Sequence, residues 1–172
     1  MHKNQKRLAK RTPLWYTLIK SVGIWGTRME DFEDFTEAMR EKEKNNVFVM
    51  HNHIEMVSVE KNKAVFKLDI RPESKNSFGM VHGGAIYAMA DNAAGFATHT
   101  DGRHHVTQTS ALHFLHNQSE GTVTATALVR HRGKTTTLVA VDITGDNGKL
   151  IATGEFTFYC VDKSLIDQKL KP

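Results

Sequence analysis

The sequence predicts an α+β domain, a curved antiparallel sheet wrapped around one central helix, with a helical extension in front of it. Three observations carry this. From Val47 onward apolar residues alternate over six runs, the period that turns one face of a strand toward a core. One segment breaks the alternation: residues 85–98 are almost all small or apolar, as in a helix buried on most sides. The links between the later runs are short and rich in Gly and Asn, as turns between antiparallel neighbours require. Two strands, a helix and four strands, in that order, put helix and sheet in separate layers.

The elements follow in chain order. Residues 1–12 read as frayed or weakly helical, and Thr12-Pro13 is a helix start with proline at the first position. Leu14, Trp15, Leu18, Ile19, Val22 and Trp25 recur at helical spacing, which describes a short amphipathic helix docked on its own or a neighbouring core. The basic flank and the two tryptophans make an interfacial membrane anchor the sharper, less favoured alternative. Residues 30–44 form a second helix, with acids at its start, Lys42 and Lys44 near its end, and a stripe of Phe32, Phe35 and Met39. Asn45-Asn46 stops it, so residues 1–46 are an extension and 47–172 the folded domain.

Val47–Met50 and His51–Val59 read as one strand, bent or bulged midway, and Ala64–Ile70 as the second. Arg71-Pro72 ends that strand, because proline cannot donate to a central ladder. The helix follows, then His104–His116, Thr122–His131, Lys134–Thr144 and Lys149–Val161 as four strands joined by hairpins.

Composition narrows the function classes. Residues 1–29 hold seven Lys/Arg and no acid, and residues 30–46 hold seven acids against three bases, so the remainder is close to neutral. The overall charge of +4 therefore belongs to the leading arm and does not imply nucleic-acid binding. No uncharged apolar run is long enough for a transmembrane helix, and Lys20 with no small-x-small site after it argues against a signal peptide. The single cysteine, Cys160, lies in an apolar run, excludes an intrachain disulfide framework and fits the cytoplasm. Ten histidines lack Cys or acidic partners in zinc spacing, so no metal site is expected. No G-x-S-x-G elbow occurs.

The informative stretch runs from Asn76 to Gly95. His82-Gly83-Gly84 is a helix entry where glycine lets backbone N–H groups approach a ligand. Those first N–H groups have no partner inside the helix and carry partial positive charge, which suits a carbonyl oxygen becoming an oxyanion. Asp91 is out of place in so apolar a helix. It is either a structural acceptor or a reactive carboxylate.

Asn76, Gly79, His82, Gly83, Gly84, Asp91 and Gly95 reproduce the N-x-x-G-x-x-H-G-G-x-x-x-x-x-x-D-x-x-x-G pattern. In this the chain resembles the hotdog-fold acyl-CoA thioesterases, and within them the phenylacetyl-CoA (PaaI-type) branch. The resemblance covers roughly residues 47–161 in element order. It implies the hotdog fold and hydrolysis of a fatty or aromatic acyl-CoA to free acid and CoA, with no cofactor. Asp91 would be general base or nucleophile, and the Gly83 N–H would polarise the thioester carbonyl. Asn76 would contact the thioester. His82 would either bond the thioester region or hold the turn, with Gly84 beside it. Thr107, on the strand after the helix, would position the water, and Thr109, on the same face by period two, is its substitute. Where the related 4-hydroxybenzoyl-CoA branch has Glu and, one turn later, Thr, this chain has Asp91 and Gly95, which points away from that branch.

Gly83 and Asp91 are eight residues apart, about 12 Å along one helix. A carboxylate cannot serve a carbonyl held at its own helix start from there. Two such helices, antiparallel across a two-fold axis, bring the Gly83 of one subunit to the Asp91 of the other, so a homodimer is required and a dimer of dimers is expected. Arg130, Arg132, Gly133 and Lys134 form a basic turn suited to CoA phosphates. Phe78 and Tyr87 would flank the acyl chain. The alternative is a non-catalytic acyl-CoA-binding hotdog sensor, which the basic arm favours and the carboxylate at position 91 disfavours.

Overall fold

The computed structural model describes residues 37–161 except residue 42. The amphipathic helix expected around 12–25, the start of the second helix and residues 162–172 lie outside the described residues. Residues 37–41 and 43–44 are helical, as expected. Met39 is buried there, and Glu43 Oε1 accepts a 2.6 Å hydrogen bond from the Met56 N–H.

Six strands follow: β1 (Ile54–Glu60), β2 (Lys63–Asp69), β3 (His104–Phe114), β4 (Thr122–Arg132), β5 (Thr136–Thr144) and β6 (Leu150–Val161). They form one antiparallel sheet in the order β1-β2-β4-β5-β6-β3. The long helix between β2 and β3, Gly83–His99, packs on one face of this sheet, giving the hotdog fold. Its buried positions are mostly alanines, so its axis can approach the strands closely, and Phe96 meets Phe66 edge-on at 5.0 Å. Alternate residues of β2, β4 and β5 complete the core, including Phe66, Leu68, Val123, Val139, Val141 and Ile143. Each large aliphatic or aromatic side chain buried in this way contributes about 1.5–3 kcal/mol.

Two expectations are corrected. Val47–His51 is a short helix, α1, and not the first half of a strand, so the long helix is α2. Asn46 does not only stop the preceding helix; its side chain accepts from the Val49 N–H and starts the next one. The second correction concerns connectivity. β3 and β4 do not form a hairpin: β3 pairs with β6 at the sheet edge, and residues 115–121 cross to the other side of β5 and β6. Gly154 permits that edge pairing, because a Cβ there would lie 2.1 Å from the Ala111 carbonyl oxygen. β1 and β2 form the expected hairpin, with Asn62 at φ 65° in its turn, and β1 carries a register shift between Met56 and Ser58.

Candidate active site

The residues before α2 form a loop built by Asn76. Its Oδ1 accepts the N–H groups of Phe78 (2.9 Å) and Met80 (3.1 Å), while its own N–H donates to the Met80 carbonyl at 2.7 Å. Gly79 takes φ 76°, a left-handed conformation that glycine adopts without strain. Phe78, 81 % exposed, is displayed at the tip. The loop is anchored behind by the His82 N–H on the Ser74 carbonyl and the Val81 N–H on the Gln118 carbonyl.

His82 is the N-cap of α2. Its Nδ1 accepts the Gly84 N–H at 2.8 Å, and so carries no proton there. The ring lies so close to Gly84 that a Cβ at that residue would be 3.0 Å from Nδ1. The Ala85 and Ile86 N–H groups both reach the His82 carbonyl. The Gly83 N–H alone in this first turn has no acceptor among the described residues. One donor at the positive end of a 17-residue helix is thus left for an outside oxygen.

Asp91 lies two turns further along α2, half-buried, on the same side of the helix as Gly84, Tyr87, Ala88 and Gly95. Burial raises its pKa above 3.8, opposed by a 2.7 Å hydrogen bond from the Thr107 hydroxyl to Oδ1. Oδ2 receives no hydrogen bond from the described residues.

Thr107 and Thr109 are not on one face of β3, which corrects the period-two reading. The register shifts between them: Thr107 pairs with Phe158 and Thr109 with Thr157, and Phe158 and Thr157 point to opposite sides of β6. Thr107 therefore faces α2 and Thr109 faces away. Beyond the bulge the helix-facing residues are Ser110, Leu112 and Phe114. Tyr87 Oη hydrogen-bonds Ser110 Oγ, and the Phe114 ring lies 3.5 Å from where a Gly83 Cβ would be. Neither Ser110 nor Phe114 is recognisable from the sequence, because the bulge inverts the alternation that would identify them.

The basic turn divides. Arg132 points back at the end of α2, donating to the Ala97 and Thr98 carbonyls, Asn62 Oδ1 and Asp101 Oδ2, with Thr100 Oγ1 at 3.4 Å. It closes the C-terminal end of the helix and leaves no free fork for a phosphate, so the expected three cations become two. Arg130 and Lys134 are exposed. The Gly133-Lys134 turn is held by Arg103, which donates to both carbonyls and to Asp101. Burial raises the Asp101 pKa, but hydrogen bonds from Arg103 and the charge of Arg132 outweigh it and hold the carboxyl below its usual range. Asp101 and Arg103 escaped the sequence reading because nothing in their spacing ties them to a turn thirty residues on.

No group of three or more His, Cys, Asp or Glu among the described residues is arranged to hold a metal ion. No described helix is long and apolar enough to cross a membrane.

A family model described as the thioesterase superfamily matches residues 78–152. The chain is 31 % identical over 100 residues to acyl-coenzyme A thioesterase PaaI of Escherichia coli, spanning 58 % of this chain and 71 % of that protein. It is 37 % identical over 108 residues to the 1,4-dihydroxy-2-naphthoyl-CoA hydrolase of Listeria monocytogenes, spanning 60 % and 87 %. Among solved structures, the E. coli PaaI protein from the phenylacetic acid degradation operon aligns with TM-score 0.68 at 28 % identity, covering 73 % of this chain and 90 % of that one. A Streptococcus mutans protein bound to acetyl-CoA aligns with TM-score 0.61 at 29 % identity, covering 64 % and 90 %.

Proposed function

Because the chain belongs to the hotdog acyl-CoA thioesterase superfamily, on its PaaI-like branch, and is a thioester hydrolase, we propose how its own residues carry the reaction. One observation carries the reading: Gly83, whose N–H has no acceptor among the described residues, and the half-buried Asp91 both lie on the β3 side of one helix, beside Phe114 and Thr107. They are about 12 Å apart along it. A two-fold axis across that side joins the Gly83 of one subunit to the Asp91 of the other, giving two composite sites per homodimer.

Two surfaces suit such an axis. The outer edge of β3, eleven residues long, has no strand beside it among the described residues, and Val106 (48 %) and Phe114 (51 %) are exposed along it. The open side of α2 is lined by Gly84, Ala88 and Gly95, small enough for a second helix to approach. A dimer of dimers and a cytoplasmic location belong to the same proposal.

In the reaction the thioester oxygen accepts the Gly83 N–H, and the Asn76 amide contacts the thioester. Asp91, fixed by Thr107 through Oδ1, uses Oδ2 to take a proton from water as it adds to the carbonyl carbon. The oxyanion rests on Gly83. Collapse breaks the carbon–sulfur bond, and the CoA thiolate leaves and is protonated, giving free acid and CoA. Direct attack by Asp91, with an anhydride then hydrolysed by water, reaches the same products. Arg130 and Lys134, on the turn through Gly133, meet the CoA phosphates, and Phe78 and Tyr87 border the acyl group.

The test is thiol release from a panel of acyl-CoA esters by wild type and Asp91→Asn, with oligomer size measured on both. Turnover by the wild type and a loss of about 100-fold or more in the variant, at unchanged assembly, is the expected result. Tight CoA-ester binding without turnover would replace the enzyme by the sensor.

A further inference from the structure

We propose that Tyr87, held by Ser110, is the end wall of the acyl pocket, and that the enzyme therefore favours compact acyl groups, short chains or a single flat ring, over long chains. This rests on the two-fold site proposed above.

Positions 83, 87, 91 and 95 recur every four residues and so form one stripe along α2. Three of them meet β3 in turn: Gly83 at Phe114, Tyr87 at Ser110 and Asp91 at Thr107. The fourth, Gly95, has no side chain, and the Phe158 ring lies 3.7 Å from where a Cβ would stand. The reacting carbon must lie near Asp91, over the seam between helix and strand. Its sulfur and its acyl carbon diverge from it, so the two groups run different ways along that seam.

The CoA arm must reach the basic turn, which lies at the C-terminal end of α2, where Arg132 meets the Ala97 and Thr98 carbonyls. That direction passes over the bare Gly95. The acyl group is left with the other direction, toward Tyr87, one turn and about 6 Å away. There the phenol ring rests on the buried Phe156, centroids 5.6 Å apart, and its hydroxyl reaches across to Ser110 on the edge strand. Helix and strand are thus bridged, and that bridge bounds the stretch of the seam beside Asp91.

The symmetry closes it further. When Gly83 of one antiparallel helix faces Asp91 of the other, the residue midway between them, Tyr87, faces its own copy. Two rings at the axis then separate the two acyl pockets, and the exposed part of Tyr87, 38 % in the single chain, is what they cover.

The experiment compares kcat/KM for hexanoyl-CoA, benzoyl-CoA and palmitoyl-CoA in the full-length protein. Wild type is expected to favour hexanoyl-CoA or benzoyl-CoA. Tyr87→Ala is expected to raise the palmitoyl-to-benzoyl ratio at least about tenfold, the scale on which pocket size discriminates. Ser110→Ala should move the ratio the same way by less. If Tyr87→Ala does not fold, Tyr87→Leu, which keeps apolar contact with Phe156, must shift the ratio in that direction. Wild-type preference for palmitoyl-CoA, or an equal loss on all three esters in the variants, overturns the wall and leaves the thioesterase reading standing. No thiol release from any ester by the wild type overturns both.

Discussion

The Thr107 hydroxyl donates a 2.7 Å hydrogen bond to Asp91 Oδ1, joining the edge strand to the central helix at the carboxylate. Burial raises the Asp91 pKa and this bond works against it. A base acts when unprotonated, so kcat/KM should fall as pH drops through a value above 3.8. Thr107→Val removes the opposing bond, and the acid limb should move to higher pH, while Thr107→Ser should restore it. A pH–rate profile with the same acid limb in Thr107→Val and wild type would sever Thr107 from the base.

The same raised pKa affects stability. A carboxyl whose pKa is higher in the folded than the unfolded chain favours folding below the unfolded value, and that advantage is lost as pH rises through the folded one. At neutral pH Asp91 is charged and half-buried at a cost. Asp91→Asn should therefore melt at a higher temperature than wild type at pH 7 while losing turnover, with the gap closing toward pH 4. Thermal melts at the two pH values check the sign, and a lower melting temperature at pH 7 would contradict it.

Gly83 offers a substitution that replaces the amide hydrogen with a ring carbon and leaves the path of the backbone unchanged. Proline is favoured at the first position of a helix, and the residue before it must be extended. His82 already is, at φ −70° and ψ 133°. A Cβ at position 83 meets Phe114 at 3.5 Å, an ordinary contact. Gly83→Pro should therefore keep the helix and lose the donor, reducing kcat by about 10²–10³. Gly83→Ala, which keeps the N–H, should stay within about tenfold of wild type. Equal activity of the two variants would remove the amide from the reaction.

Most of the fold was legible because its signals are local. The limits of β3–β6 lie within two residues of the expected ones, since alternation and turn residues coincide there. What was illegible depends on distant partners. Val47-Phe-Val-Met50 has the composition of a strand, yet Asn46 caps it as a helix beside β1. The bulge at Thr107 needs the register with β6, and without it Thr109 shares a face with Thr107 and Ser110 does not. Arg132 looks like a phosphate ligand until Asn62, Ala97, Thr98 and Asp101 are brought beside it. Asn76, His82, Gly83 and Asp91 were legible as one group because their spacing is fixed within one loop and one helix.

Asp101 joins two arginines that sequence keeps apart. Its carboxylate takes Arg132 Nη1 at 2.6 Å and Arg103 Nε at 2.7 Å. Their hold keeps its pKa below the usual value despite burial, so this contribution to stability is present above the unfolded pKa and lost as pH falls through the folded one. Asp101→Asn should destabilise the protein by about 3 kcal/mol at pH 7, the scale for removing one partner of a largely buried ion pair. The difference from wild type should shrink in acid below about pH 4. Urea unfolding at both pH values measures it, and a difference independent of pH would assign the loss to packing instead of charge.

Residues 37–46 reach into the folded domain, which makes two truncations informative. Met39 is buried, Glu43 Oε1 accepts the buried Met56 N–H at 2.6 Å, and Asn46 caps α1. Deleting residues 1–46 removes all three, while deleting 1–36 keeps them. A buried methionine contributes about 2 kcal/mol or more, and an orphaned buried N–H costs about 1 kcal/mol or more. The longer deletion should therefore be less stable than the shorter by about 3 kcal/mol, a difference of roughly 10 °C in melting temperature. Because Met56 belongs to β1, at the opposite sheet edge from β3, kcat at a temperature where both truncations are folded should agree within about twofold. Equal melting temperatures would show that residues 37–46 add nothing to the core; unequal kcat would connect them to the site.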